Sequence, residues 1–203
     1  MTRISKPPQE RKKEILETAM EMFLKNGYEN TSVSDIVHKL NVAQGLFYYY
    51  FKSKEEVFRA ALEQYTDEFT EKLIAIIRDG SMSFIRRLEL VLRTMRNMFA
   101  ESTNALTMEM QRAELIDLDY RLSIHITQSL IEPVSVVLDE LNERGVAHIK
   151  DTVSTASFLV FGIYGLIHSG DERMHNSDNL EPEIVVGLIS GVLGIKPEIL
   201  MNL

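Results

Sequence analysis

Cysteine and tryptophan are both absent from this chain of 203 residues. Without cysteine there is no disulfide framework, no thiolate zinc or iron–sulfur site and no cysteine nucleophile. Long apolar runs are also missing, since the two longest, Ala156–Ile167 and Ile184–Ile195, fall well short of the roughly 20 residues that cross a bilayer. The charged stretch from Gln9 to Glu14 occupies the place where a secretory signal needs its apolar core. We therefore expect a soluble, cytoplasmic protein without a membrane span.

Negative charge predominates, but it is unevenly distributed. The formal net charge is −8, from 22 Lys and Arg against 30 Asp and Glu. Residues 1–54 alone carry an excess of three basic residues, and the remainder is strongly acidic. Such an asymmetry is typical of a basic binding module attached to an acidic body, although an excess of this size could also arise by chance.

Apolar residues recur at helical spacing along nearly the whole chain, and no alternating strand pattern of useful length occurs. We predict an all-α protein, with a small N-terminal three-helix module (residues 1–54) followed by a helical bundle (residues 55–203). Pro133 should kink or divide one long helix. The predicted helices cover about residues 15–26, 31–40, 44–51, 53–76, 84–100, 105–115, 118–144, 152–169 and 182–194.

The second and third predicted helices have the spacing of a helix-turn-helix. Thr31–Leu40 is amphipathic, residues 41–43 form a short break, and Gln44–Phe51 is a short helix. In such motifs the second helix enters the major groove of DNA by its N-terminal residues. Gln44 can pair there with N6 and N7 of adenine. Because this helix contains no arginine, we expect weak guanine readout and a site rich in A·T.

The residues around this motif resemble a known family. The sequence reads Gly27-Tyr28-x-x-Thr31-Ser32-Val33-x-Asp35-Ile36-Val37 and then Asn41-Val42-Ala43-Gln44-Gly45-Leu46-Phe47-Tyr48-Tyr49-Tyr50-Phe51-x-Ser53-Lys54-x-x-Val57. Over about residues 11–62 it is similar to the TetR family of bacterial transcriptional regulators. The resemblance implies an all-α fold of about nine helices, which the apolar periodicity also favours. It further implies a homodimer that binds double-stranded operator DNA, most often as a repressor, and responds to a small-molecule effector, with no cofactor.

Matched by position, the resemblance implies DNA contacts for ten residues. Three positions depart from the family pattern. Ala43 replaces a common capping Ser or Thr at a cost of ~0.5–2 kcal/mol, Asn41 replaces a common glycine, and Leu46 replaces a frequent threonine. Phe47, Phe51 and one face of Tyr50 are better candidates for the core. The implied contact residues are Thr31, Ser32, Ala43, Gln44, Gly45, Leu46, Tyr48, Tyr49, Tyr50 and Lys54.

The last two predicted helices are poor in charge and rich in small residues. Interior glycines cost a helix about 1 kcal/mol each relative to alanine, and close helix–helix approach is the usual compensation. The resemblance implies that these helices form a four-helix bundle with those of a second subunit, although packing within one chain is an alternative. The candidate interface residues are Gly162, Gly165, Gly187, Ser190, Gly191 and Gly194.

Methionine is frequent, with 10 residues, and its flexible side chain suits a pocket for a largely apolar effector. Core packing is the alternative for each single residue. An acidic run that includes Asp117 and Asp119 is more typical of a solvated face than of a site for a cationic ligand. The candidate pocket residues are Met95, Met98, Phe99, Met108, His125, Phe158, Phe161 and Tyr164.

No pattern in the sequence favours catalysis or metal binding. The five histidines lack the i, i+4 spacing and acidic partner of a zinc helix, and there is neither a glycine-rich phosphate loop nor a nucleophile elbow. We therefore predict a DNA-binding regulator and not an enzyme. Two alternatives stay open: an all-helical enzyme, and an architectural DNA-binding protein that answers to a protein partner.

Overall fold

The computed structural model describes residues 6–102, 113–168 and 182–203, and within these ranges all regular structure is helical. Most of the predicted helices are present with their ends shifted by only a few residues. The nine helices of the described ranges are α1 (Pro8–Asn26), α2 (Val33–Lys39), α3 (Gln44–Tyr50), α4 (Lys54–Arg78), α5 (Phe84–Ser102), α6 (Ala113–Glu143), α7 (Thr152–His168), α8 (Pro182–Leu193) and α9 (Pro197–Met201).

Three differences from the predicted helices stand out. Helix α6 runs without interruption through Pro133, so the proline does not divide it. Helix α9 was not predicted, because a single turn of five residues is too short to display apolar periodicity. Most of the short helix predicted over residues 105–115 lies outside the described residues.

The chain forms two compact units. One comprises residues 1–68 with 99–122, and the other comprises residues 69–98 with 123–203. Helices α4 and α6 each contribute one end to each unit. The functional division that we expect at residue 54 remains a prediction.

The first unit is built around buried aromatic rings. Phe23, Phe47 and Phe58 are completely buried, and the rings of Phe23 and Phe58 meet edge to face with centroids 5.0 Å apart. Leu118 of α6 belongs to the same apolar cluster. Burying a side chain of this size contributes about 1.5–3 kcal/mol, so this core holds α1–α4 together and sets the position of α3.

The second unit contains two apolar clusters. The larger takes buried side chains from α5 to α9, including Leu92, Leu138, Ala156, Val185 and Leu200. The smaller contains Leu73 of α4, Leu130 of α6 and Val160 of α7, with Met95 of α5 packed against them. Buried faces of α7 and α8 thus share one core.

A hydrogen bond and an ion pair hold the C-terminal end of α4 in the second unit. Nη1 of Arg87 on α5 donates a hydrogen bond of 2.8 Å to the carbonyl of Ile77, which lies in the last turn of α4. Such carbonyls have no partner within their own helix, and a cation there also complements the helix dipole. Arg78, the last residue of α4, forms an ion pair with Glu132 of α6.

Candidate nucleic-acid interface

The helix-turn-helix is confirmed, and its first helix begins with a capping box. The Ser32 hydroxyl accepts a hydrogen bond of 3.1 Å from the Asp35 amide, and the Asp35 carboxylate accepts one of 2.9 Å from the Ser32 amide. The Ser32 hydroxyl and its backbone N–H lower the pKa of Asp35, because both donate to the ionised carboxylate. Two amides of the first turn are satisfied in this way.

The turn depends on one residue in the left-handed conformation. Asn41 has φ = +52°, and among the described residues it is the only one other than glycine with positive φ. Asparagine enters this region at lower cost than most residues, which explains why the common glycine is dispensable here. Val42 then donates from its backbone to the carbonyl of Val37 over 3.0 Å, which closes the turn.

Helix α3 has an inner face that packs into the first unit. Phe47 is completely buried and Phe51, just after the helix, is 2% exposed, with ring centroids 5.8 Å apart. Tyr50 and Leu46 are half-buried. The prediction that the phenylalanines belong to the core is confirmed, and this packing determines which side of α3 faces solvent.

The outer face of α3 presents most of the predicted DNA contacts. Tyr48 is 52% exposed and Tyr49 is 75% exposed, and Ala43 and Gln44 are exposed beside them. At Gly45 an added Cβ would meet no described atom within 4 Å, so nothing within the described chain requires glycine there. Ala43 is the N-cap residue and makes no side-chain cap, as expected.

Thr31 requires a correction. Its side chain is completely buried, and its hydroxyl lies 2.9 Å from the carbonyl of Gly27 and 3.2 Å from that of Met22. A hydroxyl oriented to these two carbonyls within the core cannot also reach a phosphate. Thr31 therefore holds the loop between α1 and α2, whereas the neighbouring Ser32 is exposed.

The N-terminus of α4 carries the remaining predicted contact, Lys54. The helix is capped by Ser53, whose hydroxyl accepts from the Glu56 amide over 3.1 Å, while the Glu56 carboxylate accepts from the Lys52 amide over 2.6 Å. The Lys54 ammonium lies 4.1 Å from the ring centroid of Tyr28. This end of α4 thus combines a lysine with the positive end of the helix dipole.

The lysines and arginines between positions 6 and 54 fall into two groups, those that form an ion pair and those that do not. Lys6, Arg11, Lys13 and Lys39 form ion pairs with the nearby carboxylates of Glu14, Glu17 and Glu21, so their positive charges are balanced locally. Within the described part of the chain, Lys12, Lys25, Lys52 and Lys54 form no such pair. Lys12 was missed from sequence: its ammonium lies 5.8 Å from the Phe51 ring centroid, a proximity that only the packing of α1 on α3 creates.

Helices α7 and α8 each expose a row of apolar and small residues. The two rows are here called together the α7–α8 stripe. No described atom lies within 4 Å of a Cβ added at any of its glycines, so packing within the described chain does not require them. Phe158, 67% exposed, and Phe161, 38% exposed, lie beside Gly162 and Gly165. The stripe consists of Phe158, Phe161, Gly162, Gly165, Ile184, Gly187, Leu188, Gly191 and Val192.

Two of the residues predicted for a subunit interface do not belong to this stripe. Ser190 is 5% exposed, and its hydroxyl is buried without a hydrogen-bond partner in the described structure. Gly194 directly follows α8 with φ = +65°, so its backbone conformation accounts for the glycine.

The predicted ligand pocket is assembled only in part. Met95 is half-buried beside the smaller cluster of the second unit, and Tyr164 is half-buried, but His125 is exposed. Phe158 and Phe161 lie on the α7–α8 stripe and not in a cavity, which corrects their assignment. Met108 and the side chains of Met98 and Phe99 lie outside the described residues. Among the described residues no cluster of His, Asp or Glu could hold a metal ion, and none of the described helices is apolar over a length that would cross a bilayer.

Residues 15–61, from α1 into α4, match the family model described as "Bacterial regulatory proteins, tetR family". Two curated relatives come from Bacillus subtilis. The uncharacterized HTH-type transcriptional regulator YuxN is 37% identical over 71 residues, which are 35% of this chain and 24% of YuxN. The fatty acid metabolism regulator protein is 26% identical over 153 residues, which are 73% of this chain and 77% of that protein. The similarity to YuxN thus spans about a quarter of that regulator's length.

A solved structure extends the comparison to almost the whole chain. The crystal structure of a transcriptional regulator from Cytophaga hutchinsonii covers 95% of this chain and 97% of its own, with a TM-score of 0.61 at 18% identity. At that identity the likeness concerns the fold. Together with the family model, it extends the similarity from the helix-turn-helix to the fold of nearly the whole chain.

Proposed function

Because this chain belongs to the TetR family of bacterial regulatory proteins, we propose that it is a dimeric cytoplasmic transcription regulator without catalytic activity. In this proposal it binds operator DNA as a repressor, and a small-molecule effector releases it. Regulators of this family bind operator DNA and act as dimers, and some respond to small molecules.

The exposed outer face of α3 is the observation that carries the proposal. Gln44 and Tyr48 face solvent from a helix whose opposite side is anchored by the completely buried Phe47. A short helix held rigidly by one face can enter the major groove with the other. At Gly45 the absence of a side chain lets the backbone approach DNA closely.

Sequence readout on this helix depends on an amide and on tyrosine hydroxyls. Gln44 offers the bidentate pairing that selects adenine, and a good pair of this kind discriminates by ~1–3 kcal/mol. Guanine is most often read by arginine or lysine, and α3 contains neither. We therefore expect an operator rich in A·T at the Gln44 contact, with Ser32 and Lys54 contacting phosphates.

Recognition of paired half-sites needs two DNA-binding modules, and hence a dimer. The α7–α8 stripe is an exposed apolar surface that association of two subunits would bury. Phe158, Ile184 and Leu188 would leave water on association, while the glycines let two subunits approach closely. A two-fold dimer would place the two α3 helices about 34–36 Å apart, or at a multiple of that distance.

The effector is proposed to act through α4. The smaller cluster of the second unit joins Leu73 of α4 to Leu130, with Met95 packed against them. An apolar molecule that inserts beside these residues would displace α4 and, through it, the DNA-binding module. Coupling of ~1–3 kcal/mol, or 5–150-fold in affinity, is typical of such regulation.

The DNA-binding proposal is tested by selection from a pool of random duplexes. We expect an enriched two-fold symmetric site whose affinity falls steeply with salt, because Lys and Arg displace counterions from phosphates. Gln44→Ala should relax the preference at one base pair of each half-site, whereas Gln128→Ala, an exposed glutamine on α6, should not. Failure to enrich any site, or an unchanged consensus for Gln44→Ala, would contradict the proposal.

The effector proposal is tested with probes of opposite chemistry. The similarity to a fatty acid metabolism regulator over 77% of that protein's length favours an apolar ligand, so fatty acids of increasing chain length are titrated into the protein–DNA complex. Choline serves as the cationic alternative. Release by fatty acids supports the apolar effector, release by choline transfers the assignment to a cationic one, and release by neither contradicts both effector assignments.

A further inference from the structure

The side chain of Lys54 is held against the loop between α1 and α2. Its ammonium nitrogen lies 4.1 Å from the ring centroid of Tyr28 and 3.5 Å from the carbonyl oxygen of Glu29. A cation within about 6 Å of an aromatic face is attracted by the quadrupole of the ring. The first residue of α4 is therefore tied to a segment that precedes the helix-turn-helix.

The ring of Tyr28 is itself rigidly supported. It packs against Phe23 and Phe58, with centroid distances of 5.6 Å and 4.8 Å, and both phenylalanines are completely buried. The carbonyl of Tyr28 also accepts a hydrogen bond of 3.2 Å from the amide of Thr31. An ammonium group placed on this ring is thereby positioned relative to the core that orients α3.

The charge of Lys54 is not neutralised by this arrangement. Among the residues that the structure describes, no carboxylate forms an ion pair with it, whereas Lys39 is paired with Glu21 over 2.7 Å. A ring face and a carbonyl hold the ammonium without cancelling its charge. The N-terminus of α4 adds the positive potential of its helix dipole at the same place.

We infer that Tyr28 is a positioning residue for DNA binding, whose ring holds the Lys54 ammonium ready to receive a backbone phosphate. A lysine side chain has many rotamers, and ordering it during folding removes that cost from the binding step. The inference rests on the proposed DNA-binding function and adds to it a residue that does not touch DNA.

A double-mutant cycle tests the inference on the full-length protein. Binding to a selected duplex and to a random-sequence duplex is measured for the wild type, Tyr28→Leu, Lys54→Met and the double variant at several salt concentrations. Lys54→Met should reduce the slope of log K against log salt by about 0.9, because one phosphate contact is lost. Lys72→Met removes an exposed lysine from the second half of α4 and should leave that slope unchanged.

Tyr28→Leu should weaken binding about two- to fivefold when Lys54 is present, as expected for an exposed cation–π contact. In the Lys54→Met background the same substitution should have no further effect. If Tyr28 only supported the fold, the loss would be equal in both backgrounds and would follow the melting temperature.

A second series of variants at position 28 tests the same contact without the risk that Tyr28→Leu misfolds. Phenylalanine and then progressively fluorinated phenylalanines at position 28 keep the shape of the ring while weakening its quadrupole. Affinity should fall stepwise along this series when Lys54 is present, and should stay constant in the Lys54→Met background.

The outcomes separate the two proposals. If the wild type binds neither duplex, both the DNA-binding proposal and this inference fail. If it binds, but the cycle shows no coupling and the fluorinated series is flat, only the role of Tyr28 is overturned.

Discussion

Replacing Gly187 and Gly191 by alanine should separate the stability of α8 from the association of two subunits. Both glycines lie within α8, and a Cβ added at either would meet no described atom within 4 Å. In a helix interior, alanine is more favourable than glycine by about 1 kcal/mol. The double variant should therefore stabilise an isolated subunit by roughly 2 kcal/mol.

The same substitutions should weaken the dimer. If the helices of two subunits cross at these glycines, each added methyl group forces them apart, and overpacking of a close contact costs about 1–3 kcal/mol. That corresponds to a dissociation constant raised about 5- to 150-fold, because 1.4 kcal/mol is a factor of ten. Stability and association thus change in opposite directions.

Sedimentation velocity over a dilution series measures the association, and thermal unfolding followed by circular dichroism measures the stability. Phe158→Asp places a charge on the α7–α8 stripe and provides a monomeric background in which the stability gain should persist. Gly80→Ala is the matched control, because that glycine also has open space around it but precedes α5. A dimer unaffected by the double substitution would refute the assignment of the stripe to the subunit interface.

Three further predictions concern the helix-turn-helix. Thr31→Val should lower the free energy of unfolding by about 1–3 kcal/mol in urea, because the buried carbonyls of Gly27 and Met22 lose their donor; the DNA affinity of the folded fraction should not change. Thr31→Ser keeps the hydroxyl and should cost less stability. A selective loss of DNA affinity would contradict the burial of Thr31. Asn41→Ala should cost about 1 kcal/mol at φ = +52°, whereas Asn41→Gly should be neutral or stabilising, and equal effects of the two would argue against a left-handed turn. The lowered pKa of Asp35 means that its contribution to stability is present above the unfolded-state pKa and is lost as pH falls through the lower, folded-state value; Asp35→Asn should therefore flatten the acid limb of the stability–pH profile, and an unaltered profile would refute this linkage.

Local features were predictable because they depend on neighbours in the chain. The Ser32–Asp35 capping box joins residues three apart, and Asn41, which stands where the family commonly has glycine, is a residue type that tolerates the left-handed conformation. The periodicity that predicts a helix also predicts which face is apolar, so the burial of Phe47 and Phe51 was accessible from sequence.

Other assignments failed because the same apolar periodicity fits a residue that lines a pocket, packs in the core or lies on an exposed interface. Phe158 and Phe161 have the composition of pocket residues, but they lie at the helical spacing of Gly162 and Gly165 and face away from the core. Periodicity does not tell which of two apolar stripes on α7 faces the subunit's own core. Ser190 was misplaced because α8 is apolar on most of its circumference, so periodicity does not separate its buried side from its exposed side.

By itself, the sequence determined the helical fold class, the helix-turn-helix and the outward-facing amino-acid types of α3, since capping, turn geometry and periodicity all act over a few residues. The tertiary structure decided that Thr31 is buried, that Lys54 lies on the ring of Tyr28, and that the glycines of α7 and α8 lie at an open surface. Each of these depends on which distant segments meet when the core forms. A local pattern shows which face of a helix is apolar, but because the hydrophobic effect is non-directional it does not specify which segment that face packs against.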